Sequence, residues 1–249
     1  MEVHAHTHTA RKKWTHYLWE FLMLFLAVLC GFLAENQREH MVEHQREKQY
    51  MVALLKDLEA DTAHLKAGFP LKTERTRAID SLFDYFSVHK NEPRIPRFVH
   101  NLMRRSSWDR NYDRNNITLS QLKNSGNMRL IRKLDVLDSI LTYDFSWERA
   151  DNYYKETYWS SSAVINDYIK KILNDYALLP YYKENESTAA RLPENSTLTI
   201  TIKPDLLLEY LNHLHKVKVT IRQDKEFYED IEKEAERLIS LIKKEYHLE

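Results

Sequence analysis

An apolar run of eighteen residues near the N-terminus, residues 17–34, constrains the fold more than any other feature of the sequence. As an α-helix rising 1.5 Å per residue, it would measure about 27 Å, close to the hydrocarbon thickness of a bilayer. Glu20 is its only charged residue, and Trp14, Tyr17 and Trp19 lie at the same end, where a membrane interface favours aromatic side chains. The run predicts a transmembrane helix over 17–34, with the lipid bilayer as a partner.

Two other interpretations of the run are weaker. The basic residues Arg11, Lys12 and Lys13 before it give the outline of a signal peptide, but the run is long and residues 35–39 contain no small-residue cleavage site. A buried helix of a soluble domain would show one apolar stripe, whereas this run is apolar on all sides. We therefore expect an uncleaved anchor.

The same basic residues predict the orientation of the anchor. Because positive side chains favour the cytoplasmic side, residues 1–16 are expected to form a cytoplasmic tail rich in His and Lys. Residues 35–249 then lie in the periplasm, and the protein crosses the inner (cytoplasmic) membrane once. The whole chain has 37 basic and 37 acidic residues, so its charge gives no general attraction to nucleic acid.

Glycine and proline are scarce, with three and six residues in 249, which favours long helices over a β-sandwich or barrel. Apolar residues at three- and four-residue spacings predict long helices over about 35–66, 71–90, 134–176 and 205–246. Gly68 and Pro70 are expected to separate the first two helices. The sequence thus predicts an all-α fold, in which the N-terminal transmembrane helix continues into an extracytoplasmic antiparallel helical bundle.

Shorter elements are predicted between these helices. Short helices are expected over residues 97–105, 118–123 and 128–133. The alternating stretch T-L-T-I-T-I at 197–202 is typical of a single edge strand or a clip. Pro204 precedes the last helix, at a position where proline is favoured.

Two parts of the chain resemble a known family. Residues 20–40 (E-F-L-M-L-F-L-A-V-L-C-G-F-L-A-E-N-Q-R-E-H), followed by residues 46–62 (R-E-K-Q-Y-M-V-A-L-L-K-D-L-E-A-D-T), resemble uncharacterised single-span membrane proteins widespread in Bacteroidetes. Residues 117–132 (I-T-L-S-Q-L-K-N-S-G-N-M-R-L-I-R) are similar to a segment of the related DUF6090-type proteins. The resemblance implies an inner-membrane location and a helical periplasmic domain, and it implies no activity.

One face of the predicted transmembrane helix combines a carboxylate with small residues. On a helical wheel it comprises Glu20, Ala27, Gly31, Ala34 and Arg38. Ala27 and Gly31 form a small-xxx-small pair that allows close helix packing, which predicts a homo-oligomer or a partner membrane protein. A carboxylate within a span is also a candidate for ion or proton transfer, although Glu20 lies near the interface, where its side chain is able to reach water.

The N-terminal tail contains three alternating histidines, His4, His6 and His8. Neutral imidazoles at this spacing bind Zn, Cu or Ni. A terminal tail without partners to orient the rings is more typical of opportunistic chelation than of a physiological site. We expect no cofactor.

A turn within residues 117–132 admits two interpretations. It comprises Asn124, Ser125, Gly126, Asn127 and Arg129. Gly126 is expected to adopt a left-handed cap between two short helices, with Leu122, Leu130 and their neighbours in the core. Alternatively, the turn binds an anion with Arg129 and Arg132.

No catalytic motif accompanies these features. The sequence lacks a P-loop, a G-x-S-x-G elbow, an H-E-x-x-H helix and the setting of a nucleophilic cysteine. We expect a membrane-anchored, non-enzymatic envelope interaction or scaffold protein that oligomerises through its transmembrane helix. The main alternative is a subunit of an oligomeric ion channel or ion-coupled complex with Glu20 in the membrane path. A ligand-binding sensor module is a third hypothesis.

Overall fold

The structure is a computed structural model, and it describes residues 14–90, 92–108, 111–173, 197–199 and 203–248. The chain divides into two compact units, Met1–Tyr50 and Met51–Glu249. Helices make up most of the described residues, as the sequence predicts.

The first helix, α1, extends over Trp14–Val88 and includes the whole predicted transmembrane segment. It is the one helix of the described chain that is long and apolar enough to cross a membrane. The absence of glycine and proline between residues 32 and 67 allows a long uninterrupted helix in this region.

The expected break at Gly68 and Pro70 is wrong, because both residues lie inside α1. Proline at position 70 has no N–H to donate to the Lys66 carbonyl, but Lys66 and Pro70 are both exposed, so water has access to that carbonyl. Gly68 does not cap the helix. A Cβ atom at this position would lie 2.1 Å from Cε1 of Tyr112, so glycine is required here by a close approach between α1 and Tyr112.

The remaining elements follow in short succession after α1. They are strand β1 (Arg94–Pro96), α2 (Arg97–Ser107), α3 (Ile117–Asn124), a 3₁₀ turn (Asn127–Leu130), α4 (Leu134–Tyr153), a π-helical turn (Tyr154–Tyr158), α5 (Trp159–Ile172), strand β2 (Thr197–Thr199) and α6 (Pro204–Tyr246). Pro204 occupies the first turn of α6, as the sequence predicts. At the other end, His247 adopts a left-handed conformation with φ of 51°, which ends the helix.

The helix predicted over about 134–176 differs from the structure in two respects. It is interrupted by the π-helical turn, which adds a residue to one turn and rotates the side chains after it. It also ends at Ile172, because Leu173 has an extended backbone with ψ of 135°. Residues 174–176 lie outside the described residues.

The two strands form a small antiparallel pair. Ile95 lies opposite Leu198 in the register, with Arg94 opposite Thr199 and Pro96 opposite Thr197. The predicted strand over 197–202 is therefore present over its first three residues, and residues 200–202 lie outside the described residues. Pro96, the last residue of β1, has no N–H to donate to a neighbouring strand. It is tolerated because β1 is an edge strand of this two-stranded sheet.

The core of the second unit is shared by its helices. One cluster of buried apolar residues combines α1, α2, α5 and α6, and it includes Ile79, Phe86, Met103, Ile165, Ile169, Leu214 and Val217. Ion pairs also connect α1 with α6: Glu59 with Lys243, Lys66 with Glu232 and Glu236, Lys72 with Asp224, and Asp80 with Lys218. From Glu59 to Asp80 along α1, the paired residues on α6 run in the reverse direction, from Lys243 to Lys218, so these two helices are antiparallel.

Candidate functional site

The apolar segment of the first unit presents its side chains outward on every side. All residues from 14 to 41 are exposed, including Phe21, Leu24 and Phe32 with 65 %, 69 % and 68 % of their surface accessible. Such a continuous apolar surface is unfavourable in water, where exposed apolar patches are small. The surface therefore requires a covering of lipid or protein.

The residues of the predicted packing stripe all lie on this surface. Ala27, Gly31 and Ala34 are exposed, and a Cβ atom at Gly31 would have no neighbour within 4 Å. Glu20 forms an ion pair with His16 one turn earlier, with 3.1 Å between Oε1 and Nε2. Arg38 pairs with Glu35, at 2.9 Å between Nε and Oε2. The stripe thus has a carboxylate–histidine pair at one end and open, small residues in the middle.

The turn after α3 has the conformation of a cap. Gly126 has φ of +69°, a conformation that glycine adopts without strain. Asn124 ends α3, Ser125 donates a hydrogen bond to the Gln121 carbonyl at 2.6 Å, and Asn127 begins the 3₁₀ turn. Arg129 is exposed, whereas Leu122, Leu130 and Ile131 are buried.

Two carboxylates of α1 bind the backbone at the start of α3, residues 115–118. Asp61 accepts hydrogen bonds from the Asn115 backbone N–H and the Tyr143 hydroxyl, both at 2.7 Å. Asp57 accepts a hydrogen bond of 3.0 Å from the backbone N–H of Thr118 in the first turn of α3. Burial raises the pKa of Asp61, and burial together with the nearby Asp61 carboxylate raises the pKa of Tyr143. These bonds hold residues 115–118 against α1, which is a structural role.

Asp144 on α4 has two cationic partners. Its carboxylate lies 2.7 Å from Arg114 Nη1 and 2.7 Å from Lys123 Nζ. Burial opposes ionisation, but the hydrogen bonds from Lys123 and Arg114 together outweigh it, so the pKa of Asp144 is lowered.

We expect Asp144→Asn to lower the free energy of unfolding by about 1–2 kcal/mol at neutral pH, because it removes two charge-assisted hydrogen bonds that are partly exposed. Since the folded state lowers the pKa of Asp144, its contribution is complete above the unfolded pKa and is lost as the pH falls through the folded pKa. Urea unfolding of the full chain in detergent at pH 7 and pH 3 measures this, and the difference from wild type should shrink at pH 3. Asp138→Asn, on an exposed position of α4, is the matched control; a loss that is equal for both variants would contradict the prediction.

A buried ion pair surrounded by tyrosine rings lies where α1, the π-helical turn and α6 meet. Lys72 and Asp224 form an ion pair of 2.6 Å between Nζ and Oδ2, with 3 % and 0 % of their side chains exposed. Lys72 Nζ also lies over the rings of Tyr158, Tyr112 and Tyr228, at 4.5, 5.2 and 5.9 Å from their centroids. Burial and the Asp224 carboxylate raise the pKa of Tyr228.

Arg75, one turn after Lys72, is equally buried, at 1 % exposure. Its Nε donates to the Ser106 carbonyl at 2.7 Å, and its Nη1 and Nη2 donate to the Tyr158 hydroxyl at 2.5 Å and the Ser162 hydroxyl at 3.1 Å. The π-helical turn positions Tyr158 for this bond, and π-helical turns are frequent at functional sites. We call Lys72, Arg75, Asp224, Tyr158 and Tyr228 the cation–tyrosine cluster.

A cavity of about 60 Å³ lies beside this cluster. Its walls include His64, Gly68, Lys72, Arg75, Trp108 and Tyr112. Trp108 is half-exposed and forms part of the wall, whereas the two cations are buried. We call this space the Trp108 cavity. Its lining combines apolar and aromatic side chains with the polar groups of His64 and Asn111 and with the two buried cations.

No predicted site residue belongs to this cluster, although the sequence contains a signal for it. Lys72 lies seven residues after Leu65 and seven before Ile79, and Asp224 has the same relation to Val217 and Ile231. Seven residues are close to two helical turns, so each charge lies on the buried face of its helix. A charge on the apolar face of each of two helices predicts a buried pair.

The predicted histidine site cannot be placed, since His4, His6 and His8 lie outside the described residues. Within the part of the chain that the structure describes, no group of three or more His, Cys, Asp or Glu side chains is arranged to hold a metal ion.

Comparisons with protein-family models, curated proteins and solved structures give no match for this chain.

Proposed function

We propose that this chain is a single-span protein of the inner membrane, with a cytoplasmic N-terminus and an antiparallel helical bundle in the periplasm. It acts as a non-enzymatic interaction or scaffold protein and oligomerises through its transmembrane helix. The observation that carries the proposal is the exposed apolar surface of α1 over residues 17–34, in which no residue is buried.

Transfer free energies support insertion of this segment. Residues 17–34 include ten Leu, Phe and Val residues. At about −0.3 to −0.6 kcal/mol each, they favour the membrane by about 3–6 kcal/mol. Glu20 would cost about 2.5–3.5 kcal/mol at the bilayer centre, but it lies near the end of the segment and pairs with His16, so its cost is smaller.

Membrane extraction and protease accessibility test the anchor and its orientation. The full chain should stay in the membrane fraction after extraction with alkaline carbonate, which releases peripheral proteins. Protease added to spheroplasts should digest residues 35–249 and leave the N-terminal tail protected. Release by carbonate would contradict the anchor, and protection of the C-terminal part would contradict the orientation.

The small residues of the span support self-association. A Cβ atom at Gly31 would meet no neighbour, so the backbone is open to close contact with a second helix.

We expect Gly31→Ile to lower the oligomeric mass of the protein in mild detergent, measured by light scattering. Leu29→Ile is the matched control, since it places the same side chain two residues away on the opposite face. Crosslinking through the exposed Cys30 in membranes provides a second measurement. A monomeric wild type, or equal effects of both variants, would contradict self-association through this face.

The alternative function, an ion path through Glu20, is favoured by the position of a carboxylate within the span. The ion pair of Glu20 with His16, one turn closer to the N-terminus, instead favours a position of Glu20 at the membrane–water interface. Ion flux into vesicles that contain the wild type or Glu20→Gln distinguishes the two. Flux that is present in the wild type and lost in Glu20→Gln would replace the scaffold proposal, and absence of flux in both would support it.

A further inference from the structure

We propose that His40 and His44 of α1 form a binding site for a divalent transition-metal ion of the Zn²⁺, Ni²⁺ and Cu²⁺ class, with the Glu43 and Glu47 carboxylates orienting the two imidazole rings. All four residues lie within the first unit, on a part of α1 that follows the apolar segment. We call them the histidine–glutamate face.

The spacing of the two histidines places their rings side by side. An α-helix turns by about 100° and rises by about 1.5 Å per residue, so residues four apart differ by about 40° around the axis and about 6 Å along it. Two histidines at this spacing bind one zinc ion in the H-E-x-x-H helices of metalloproteases. Within the helices that the structure describes, His40 and His44 are the one histidine pair with this spacing.

Each ring has a carboxylate on the side of its Nδ1 atom. His44 Nδ1 lies 3.4 Å from Oε2 of Glu47, and His40 Nδ1 lies 4.0 Å from Oε2 of Glu43. An ionised carboxylate accepts hydrogen bonds but does not donate them, so both contacts favour the tautomer with the proton on Nδ1. The lone pair then lies on Nε2. Metal-binding histidines have this arrangement, in which a carboxylate fixes the tautomer and raises the basicity of the coordinating nitrogen.

Burial distinguishes the orienting group from the coordinating one. The side chain of Glu47 is 2 % exposed, whereas that of His44 is 63 % exposed. A buried carboxylate is held in place by its surroundings, so it offers a fixed acceptor to the His44 ring. The exposed ring is in turn accessible to an ion from solvent. His40 is also exposed, and Glu43 is partly buried.

The ligand set indicates the class of metal. Two imidazoles supply half of the four ligands of a typical zinc site, and water molecules would complete the coordination. In the described part of the chain, no third His, Cys, Asp or Glu side chain is arranged to join them. Imidazole and water ligands suit Zn²⁺, Ni²⁺ and Cu²⁺, whereas Mg²⁺ and Ca²⁺ prefer sites made of oxygen ligands alone. The site is therefore selective for the later transition metals.

The histidine–glutamate face lies opposite the predicted packing stripe. His40 is nine residues after Gly31, which turns the helix by about 180° relative to the stripe. A second copy that packs on Gly31 would leave both histidines accessible, and each chain would carry its own site. Metal binding thus does not depend on self-association.

Calorimetric titration of the full chain in detergent with Zn²⁺ tests the site. The chain is first changed by His4→Ala, His6→Ala and His8→Ala, so that the N-terminal tail does not contribute. We expect one Zn²⁺ per chain with a Kd of roughly 1–200 µM, since two ligands provide about half the binding free energy of a four-ligand zinc site. In this background, His44→Ala should weaken Zn²⁺ binding by at least about tenfold.

Two further variants distinguish a shared site from a general attraction between Zn²⁺ and histidine. His44→Ala combined with Gln45→His keeps the number of histidines but moves one ring to about 140° from His40 around the helix, so binding should stay weak. His89→Ala is the matched control. His89 Nε2 also lies 4.0 Å from a glutamate three residues later, Glu92, but no histidine lies four residues from it in the sequence. This control should bind Zn²⁺ as tightly as its parent.

Electron paramagnetic resonance of bound Cu²⁺ tests the roles of the ligands and of the carboxylate. The spectrum should show two coordinating imidazole nitrogens. Glu47→Gln retains an oxygen that accepts from His44 Nδ1 but carries no charge, so both nitrogens should remain in the Cu²⁺ spectrum. Its affinity for Zn²⁺ should fall by about tenfold, because the carboxylate no longer raises the basicity of the ring.

The contrary results are also defined. Absence of saturable Zn²⁺ binding without the tail histidines, or binding unchanged by His44→Ala or by the moved histidine, would overturn the proposal. An equal loss in His89→Ala would show adventitious binding to surface histidines. One coordinating nitrogen in the Cu²⁺ spectrum would overturn the paired site, and unchanged affinity in Glu47→Gln would overturn the orienting role of the carboxylate. No variant alters residues 17–34, so these results are independent of membrane extraction and oligomeric mass.

Discussion

Replacing Asp224 with alanine should lower the free energy of unfolding by about 3–5 kcal/mol, which is the largest effect that we expect from a single substitution in this protein. Asp224 is fully buried and pairs with Lys72 at 2.6 Å. Its removal would leave the Lys72 ammonium in an interior of tyrosine rings, which attract a cation more weakly than a carboxylate does. Urea unfolding of the full chain in detergent, followed by near-ultraviolet circular dichroism, measures the loss.

Two further variants show whether this loss arises from the buried charge. Lys72→Met combined with Asp224→Leu removes both charges and fills the space, so it should recover most of the stability lost in Asp224→Ala. Asp230→Ala is the matched control on α6, because Asp230 pairs with Lys233 while 69 % and 60 % of the two side chains are exposed. Exposed pairs contribute little, and we expect a change below about 1 kcal/mol. A double variant no more stable than Asp224→Ala would contradict the interpretation.

The apolar N-terminal segment and the last helix illustrate what is predictable from sequence. The run over 17–34 lies in a helix with no buried residue in its apolar window, because composition alone sets the length and polarity of such a segment. The helix predicted over 205–246 corresponds to α6, Pro204–Tyr246, because its apolar residues recur regularly and proline begins it. Local patterns are sufficient for both.

Gly68 and Tyr158 illustrate what is not predictable in this way. A glycine followed two residues later by proline is the usual end of a helix, but here the glycine is required by Tyr112, forty-four residues away in the chain. Tyr158, at the end of the π-helical turn, likewise contacts Arg75 and Lys72, which lie more than eighty residues earlier in the chain. Such long-range contacts override local preferences, and the cation–tyrosine cluster and its cavity consist of them.

Gly68→Ala is the second substitution with a large expected effect, and its sign is opposite to that expected from helix propensity. In an exposed helix, alanine is more favourable than glycine by about 1 kcal/mol. At Gly68 the new Cβ atom would lie 2.1 Å from Cε1 and 2.7 Å from Cζ of Tyr112. The Tyr112 ring is buried and packs against Phe69 and Tyr228, so moving it away from Gly68 would disturb these contacts. We expect a net loss of about 2–3 kcal/mol in the free energy of unfolding, typical of an overpacked core.

A double-mutant cycle with Tyr112 separates the steric effect from the helix propensity. In the background of Tyr112→Ala, the ring is absent, and Gly68→Ala should then be neutral or stabilising by up to about 1 kcal/mol. Ala63→Gly, at an exposed position one turn before Ala67, calibrates the propensity difference within α1 itself. If Gly68→Ala were equally destabilising with and without the Tyr112 ring, the close approach would not explain the glycine. A reversal of sign would show that this glycine is retained for contact with Tyr112, the residue that also forms one wall of the Trp108 cavity.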